Sequence, residues 1–311
     1  MTALICGSMA YDTIMVFPDR FKNHILPEQV HILNVAFLVP ELRREYGGCA
    51  GNIAYNLKLL GGDPRILATV GKDFGPYQDW LSTLGISKEL IKIIPESYTA
   101  QAYITTDLDD NQITAFHPGA MSFSHENPIP EGTTIRLGLI SPDGKDGMIQ
   151  HAKALTEKGI PFIFDPGQGM PMFDGAELLS LVEQATWVTL NDYEAQLMRD
   201  RTGLKAEELA SKVEALIITK GSLGSLIYSS GQVIEIPPAK PVATRDPTGC
   251  GDAYRAGLVH GILEGYDWET TGRIASLMGA IKVESPGTQN HAFTIHEFKD
   301  RYRDNFNVSL A

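Results

Sequence analysis

The sequence predicts an α/β fold: a central, mostly parallel β-sheet flanked by helices, with a small β-sheet beside it as a lid. Three observations predict it. From Thr134 onward, short apolar runs alternate with helix-length segments, the pattern of successive βαβ crossovers. Before that point lie hairpin-like, half-polar stretches that suit a small accessory sheet. Two glycine clusters, Gly47-Gly48-Cys49-Ala50-Gly51-Asn52 and Gly249-Cys250-Gly251-Asp252, each run into a helical pattern. The 311 residues and 43% hydrophobic content allow one large α/β domain with an accessory piece, or two domains.

In chain order, Thr2–Cys6 is an apolar run ended by Gly7, as expected of a buried parallel strand. Tyr11–Phe17 and Val30–Val39 have mixed alternation and suit a half-exposed sheet. After the first glycine cluster a helix runs to about Leu60, and Gly61-Gly62 stops it. Arg65–Val70 reads as a strand, and Tyr77–Leu84 as a helix. Thr99–Thr106 and Gln112–His117 flank a polar turn and read as a hairpin. Strands are expected at Ile135–Ile140, Pro161–Phe164, Thr186–Leu190 and Ala215–Thr219. Helices are expected near Asp146–Lys158, Ala176–Gln184, Asp192–Arg201 and Ala206–Lys212. Leu223–Tyr228 and Gln232–Ile236 look like an antiparallel hairpin on one edge. Helices at about Ala253–Glu264, Glu269–Val283 and Ile295–Arg303 complete the chain, with no internal repeat.

Composition excludes several function classes. A net charge of −12, with 26 basic and 38 acidic residues, argues against nucleic acid or an anionic membrane as partner. The three cysteines show neither disulfide-framework nor zinc spacing, so a reducing cytoplasm fits. The N-terminal run lacks a basic segment and reads as a strand, not a signal peptide. No G-x-x-x-x-G-K-[ST] loop, dinucleotide fingerprint or His-Glu-x-x-His motif is present.

The chemistry concentrates at Asp246-Pro247-Thr248-Gly249-Cys250-Gly251-Asp252. Glycines before a helix leave backbone N–H groups bare, and the helix dipole adds partial positive charge. Asp252 lies in that first turn. An anion hole beside a carboxylate suits transfer of a negative group onto a hydroxyl, with the carboxylate taking the proton. A glycine loop with an ordinary helix-capping Asp is the alternative. Gly47 and Gly48 allow close approach and the Asn52 amide both donates and accepts, or they mark a plain helix start.

Asp246-Pro247-Thr248-Gly249-Cys250-Gly251-Asp252 resembles the C-terminal signature of the ribokinase-like (PfkB) carbohydrate and nucleoside kinases. Four further matches follow the family's order: Asp12, Gly47-Gly48-x-x-x-Asn52, Asn191-x-x-Glu194 and Thr219-Lys220-Gly221-Ser222-x-Gly224. Ile5-Cys6-Gly7-Ser8, Arg43-Arg44-Glu45-Tyr46, Thr114–Met121, Phe164-Asp165-Pro166-Gly167-Gln168-Gly169 and Arg255 resemble the bacterial adenosine/nucleoside kinase branch. Gly71-x-Asp73 departs from the family spacing, so Asp73 receives no role.

The resemblance implies a single ribokinase-like kinase domain, 1–311, with a lid formed by about 11–39 and 99–117. It implies Asp252 as the catalytic base, with Gly249, Cys250 and Gly251 as the anion hole. Asp12, Gly47, Gly48, Asn52, Phe116, Met121 and Gln168 would bind the acceptor, with Phe116 either stacking on a nucleobase or packing the lid. Asn191, Thr219, Gly221 and Gly224 would bind ATP, while Lys220 reads as a solvated edge lysine. Glu194 would hold Mg²⁺ through water, or simply cap its helix, and Asp246 is the candidate for a monovalent cation such as K⁺. The implied reaction phosphorylates the 5′-hydroxyl of adenosine and other nucleosides with ATP in the cytoplasm. Alternatives are a sugar or sugar-phosphate kinase of the same fold, or a nucleoside-binding regulator without turnover. A homodimer through the lid is the candidate assembly.

Overall fold

Uninterrupted apolar runs bury themselves as parallel strands, and polar runs do not, which divides this chain into two sheets. The computed structural model describes residues 2–25, 34–109, 111–132 and 134–310. The chain begins β1 (Thr2–Cys6), β2 (Ala10–Val16), β3 (Glu41–Gly47), α1 (Cys49–Leu59), β4 (Asp63–Gly71), α2 (Gly75–Thr83), β5 (Ile91–Ile94), β6 (Ala100–Thr106) and β7 (Gln112–His117). It continues with β8 (Leu137–Ile140), α3 (Lys145–Glu157), β9 (Phe162–Phe164), α4 (Gly175–Gln184), β10 (Trp187–Asn191), α5 (Asp192–Thr202), α6 (Ala206–Ala210) and β11 (Ala215–Thr219). It ends with β12 (Ser225–Ser229), β13 (Gln232–Ile236), α7 (Cys250–Glu264), α8 (Trp268–Val283) and α9 (Ile295–Phe306).

Among the described residues the main sheet has the order β13-β12-β11-β10-β9-β8-β1-β4-β5. Neighbours are parallel, except that β12 runs antiparallel to both β11 and β13. β1 shows how the pleat feeds two cores. Ala3 and Ile5 pack with Ile53 and Leu57 of α1 and Leu258 of α7 on one face. Leu4 and Cys6 pack with Met148 of α3 and Leu181 of α4 on the other. The strand order reverses at β1, since β4 and β5 lie on one side and β8 to β11 on the other. Loops leaving the carboxyl ends diverge at such a point and open a crevice. No helix is long and apolar enough to cross a membrane among the described residues.

The small sheet has the order β3-β2-β6-β7, with β2 and β6 parallel and the outer pairs antiparallel. Its β6–β7 hairpin falls where the sequence places it. Asp107 organises the turn by accepting the N–H groups of Asp109 and Asn111, both at 2.9 Å. The strand expected at Val30–Val39 is absent from the described part of that range. Val30–Leu33 lie outside the described residues, and 34–40 has no regular structure. The lid strand is β3 instead. Glu41, Leu42, Arg43 and Arg44 are all exposed, so β3 has no buried face to impose apolar alternation, and only its ladder to β2 defines it. β5 was likewise unmarked, whereas the runs at 135–140, 161–164, 186–190 and 215–219 fall on β8, β9, β10 and β11.

Gly48 packs against the β1–β2 connection, which joins the two sheets. Its φ is +85°, and a β-carbon there would lie 2.6 Å from the backbones of Ser8, Met9 and Ala10. Gly48→Ala should therefore cost about 2–4 kcal/mol of stability, or block folding, because backbone strain and overlap add. Urea denaturation measures this, and a loss below about 1 kcal/mol would show that the β1–β2 connection yields easily.

Candidate active site

Among the helices that start at the crevice, α1 and α7 differ in what their first amides do. At α1, Cys49 N–H donates to Ser8 Oγ at 3.1 Å and Ala50 N–H to Ser8 O at 3.0 Å. Of its first three amides, only that of Gly51 is bare among the described residues. At α7, Gly249 is the N-cap with φ +78° and has no side chain to cap with. Cys250 N–H donates to Pro247 O at 3.1 Å, so the expectation that it serves the anion hole meets a competing bond. The N–H groups of Gly251 and Asp252 carry no hydrogen bond among the described residues. Those bare amides, with the helix dipole, are free to receive an anion.

Asp252 occupies the first turn of α7 and is 9% exposed. Asn52 Nδ2 donates to its Oδ2 at 2.8 Å, and Gln289 Nε2 donates to Asn52 Oδ1 at 3.1 Å. Arg255 Nη1 lies 3.9 Å from Asp252 Oδ1. Burial raises the Asp252 carboxyl above its ordinary range, while Arg255 and Asn52 oppose the rise. A raised carboxylate is better matched to accepting a proton near neutral pH.

Arg255 also donates from Nη2 to Asp165 Oδ1 at 2.7 Å, and its Nε faces Asp165 Oδ2. Burial works against the Arg255 charge, but Asp165, Asp252 and Glu194 outweigh it and hold the group protonated. Asp165 is fully buried, and burial pushes its carboxyl up to about 7 against the pull of Arg255. Asn191 and Glu194 form a reciprocal cap on α5. Asn191 Oδ1 accepts Glu194 N–H at 2.7 Å, and Glu194 Oε2 accepts Asn191 N–H at 2.8 Å. The helix-cap alternative is thus correct in geometry, and Glu194 still lines the cleft at 8% exposure.

The cleft encloses about 710 Å³, the size of a small-molecule site. Asp12, Gly48, Asn52, Phe116, Met121 and Gln168 line one part of it. Asn191, Glu194, Gly249, Gly251 and Asp252 line the rest. Gly47 lies behind Asp12, since a β-carbon on it would come 2.7 Å from Asp12 Oδ2. Cys250 and Asp246 do not line the cleft, nor do Thr219, Gly221 and Gly224. Thr219 pairs with Asn191 across β10 and β11, one strand further out. Gly224 packs its backbone against Ile236 O. Asp246 turns inward, with Oδ1 accepting Thr248 N–H at 2.9 Å and Oδ2 accepting Gly287 N–H at 2.8 Å. Sequence reasoning missed the Arg255–Asp165 pair and the Gln289 support, because each joins residues far apart in the chain and neither motif marks its partner.

The cations near the acceptor-side glycine cluster, which a sugar-phosphate acceptor would require, point elsewhere. Arg43 pairs with Glu45 at 3.6 Å, Arg44 stacks over the Tyr11 ring at 4.7 Å, and Lys72 over the Tyr98 ring at 4.3 Å. None lines the cleft, where Arg255 is the one Lys or Arg among the described residues.

Comparison with known proteins finds relatives of the whole chain. The profile of the pfkB family carbohydrate kinases matches residues 9–294. A nucleoside kinase of Methanocaldococcus jannaschii is 34% identical over 270 residues, covering 86% of this chain and 89% of the relative. The structure of Burkholderia thailandensis nucleoside kinase in complex with inosine superposes with a TM-score of 0.89 at 52% identity, covering 99% of both chains. The same protein in complex with ADP-inosine superposes with a TM-score of 0.87 at 54% identity, covering 99% of this chain and 97% of that one.

Burial first, then Asp252, Glu45 and Asp246, raise the Asp12 carboxyl to about 6 from 3.8. Between those values the folded chain binds more protons than the unfolded one, so stability falls as pH rises through that window. Asp12→Asn removes this cost. It should raise Tm by roughly 2–6 °C at about pH 8 and by nothing at about pH 4. A thermal melt at both values tests it; equal shifts at both would place the Asp12 cost outside ionisation.

Proposed function

The chain belongs to the pfkB family of carbohydrate kinases, phosphotransferases with a hydroxyl acceptor, and we propose that its acceptor is a nucleoside. The reaction on this reading moves the γ-phosphoryl of ATP, with Mg²⁺, onto the 5′-hydroxyl of adenosine and of other nucleosides. The observation that carries it is one row of the lid sheet. Asp12 pairs with Ala102, and Ala102 pairs with Phe116. Residues opposite one another across strands share a face, so a carboxylate and an aromatic ring stand on one face with a small residue between them. Two strand spacings separate them, about 10 Å, which suits a ribose diol at one end and a base at the other. Ile104, Pro118 and Met121 add apolar walls beside Phe116. A free sugar has no use for such walls, and a sugar phosphate would need a cation that this part of the cleft lacks. The nucleoside kinase relatives support the same choice.

Each residue then has a task. Asp12 accepts two ribose O–H groups and fixes the sugar. Asn52, supported by Gln289, holds Asp252 against the acceptor end. Asp252 takes the 5′-hydroxyl proton while the oxygen bonds to the γ-phosphorus and the bond to the β-phosphate oxygen breaks, leaving ADP. The amides of Gly251 and Asp252 receive the charge on the transferring phosphoryl group. Glu194 suits Mg²⁺: its cap uses Oε2, Oε1 remains, and magnesium needs few carboxylates because it keeps several waters. Bound there, the ion would neutralise triphosphate charge.

Two measurements test this reading. kcat/KM for adenosine, inosine, guanosine, cytidine, ribose and fructose 6-phosphate, compared under one condition, should favour the nucleosides, with adenosine accepted. Ribose or fructose 6-phosphate outperforming every nucleoside would instead make it a sugar kinase. Asp252→Asn should keep nucleoside binding and lose about 10²–10⁴-fold in kcat. A variant retaining more than about a tenth of the wild-type rate would remove Asp252 from the role of base.

A further inference from the structure

Lys282 is fully buried in the last turn of α8, yet its charge is not paired as buried charges usually are. Its Nζ donates to Asp246 O at 2.9 Å and to Ser285 O at 3.0 Å. No carboxylate oxygen lies within ion-pair distance of it among the described residues. The Asp246 carboxylate is engaged by Thr248 and Gly287 N–H groups. An ammonium removed from water is costly to keep, and a Met of similar length would fill the same space more cheaply. Its position supplies a reason. A β-carbon built on Gly249 would lie 3.7 Å from Lys282 Cε. The charge therefore stands directly behind the glycine turn that opens α7. It lowers the Cys250 thiol against the upward push of burial there. Val283 O, at the end of α8, binds the N–H groups of Arg245 and Asp246 at 2.9 and 3.1 Å. A cation at this helix C-terminus thus ties two loops together and faces the anion site from behind.

This arrangement does not fit a bound K⁺ at Asp246, because a group of similar size and the same charge already holds the carbonyls. We infer that Lys282 is a built-in monovalent cation: it ties the 246–249 turn to the 283–288 loop and supplies fixed positive charge behind the phosphoryl site. The consequence is a phosphotransferase with no requirement for external K⁺. The role as phosphoryl-site support rests on the function proposed above, whereas the cation site itself does not.

The test replaces KCl with tetramethylammonium chloride at constant ionic strength, reading turnover and thermal melting. Wild-type kcat/KM for ATP should change by less than about twofold, since only screening remains and that is held fixed. Lys282→Met should lose about 10-fold or more in kcat/KM for ATP, with no response to K⁺. Lys282→Ala should lose as much and regain several-fold with K⁺, and only in this variant should K⁺ raise Tm. Several-fold stimulation of the wild type by K⁺, or wild-type kinetics in Lys282→Met, would overturn the inference. If neither variant folds, the wild-type titration decides alone. Absence of turnover with every nucleoside would sink the kinase reading, and the K⁺-specific Tm shift of Lys282→Ala would still decide the cation site.

Discussion

One hydrogen bond, Asn52 Nδ2 to Asp252 Oδ2 at 2.8 Å, joins two helix starts 200 residues apart. A buried carboxylate without such partners would be a large uncompensated cost. Asn52 itself is fixed by Gln289, and Gln289 Nε2 also donates to Tyr77 OH at 2.6 Å. The chain of contacts runs from α7 through α1 to α2 and ends beneath the lid, where Tyr77 OH donates to Gly47 O at 3.0 Å. The loop proposed to bind the acceptor and the proposed base are therefore set at one distance by a continuous polar network. Networks of this kind are rigid when every member is satisfied.

Charge shapes the rest. Asp12, Asp143, Asp165, Glu194 and Asp252 all line the cleft, against Arg255 as its one strong cation among the described residues. Burial answers part of this crowding by raising Asp12 to about 6, Asp165 to about 7 and Asp143 to about 8. A neutral acceptor enters such a field more easily than a phosphorylated one. A polyphosphate needs counter-charge, which on the proposed reading comes from a divalent ion, the α7 amides and Lys282. The lid places no further cation there, because Arg44 and Lys72 lie on tyrosine rings.

What the sequence made legible was local. Apolar runs announced β1, β8, β10 and β11 because both faces of those strands are buried. The glycine clusters announced α1 and α7 because a helix start needs only neighbouring residues. The strand β3 was illegible because nothing on it is buried before Gly47. Arg255–Asp165 spans 90 residues, and each half alone looks like a helix charge or a loop acid. Lys282 carries no mark in the sequence, since the carbonyls that hold it, Asp246 O and Ser285 O, lie on two separate loops. The turn after β11 was read as a nucleotide-binding turn, and its Gly224 also packs closely against Ile236 O, a contact no motif announces.

The two sheets also divide labour in a way that bears on how such a protein changes over generations. The groups proposed for proton and phosphoryl transfer sit on α7 and on the carboxyl edge of the main sheet, in a polar network that tolerates little. The face proposed for the base belongs to the stretch 100–117, a hairpin whose outer strand β7 is exposed along its length. Substitutions at Ala102, Ile104 or Phe116 alter that face without entering the network around Asp252. Acceptor preference can thus drift through one contiguous segment while the transfer chemistry is inherited intact. A lineage carrying this architecture can widen or narrow its diet at little risk to its fold.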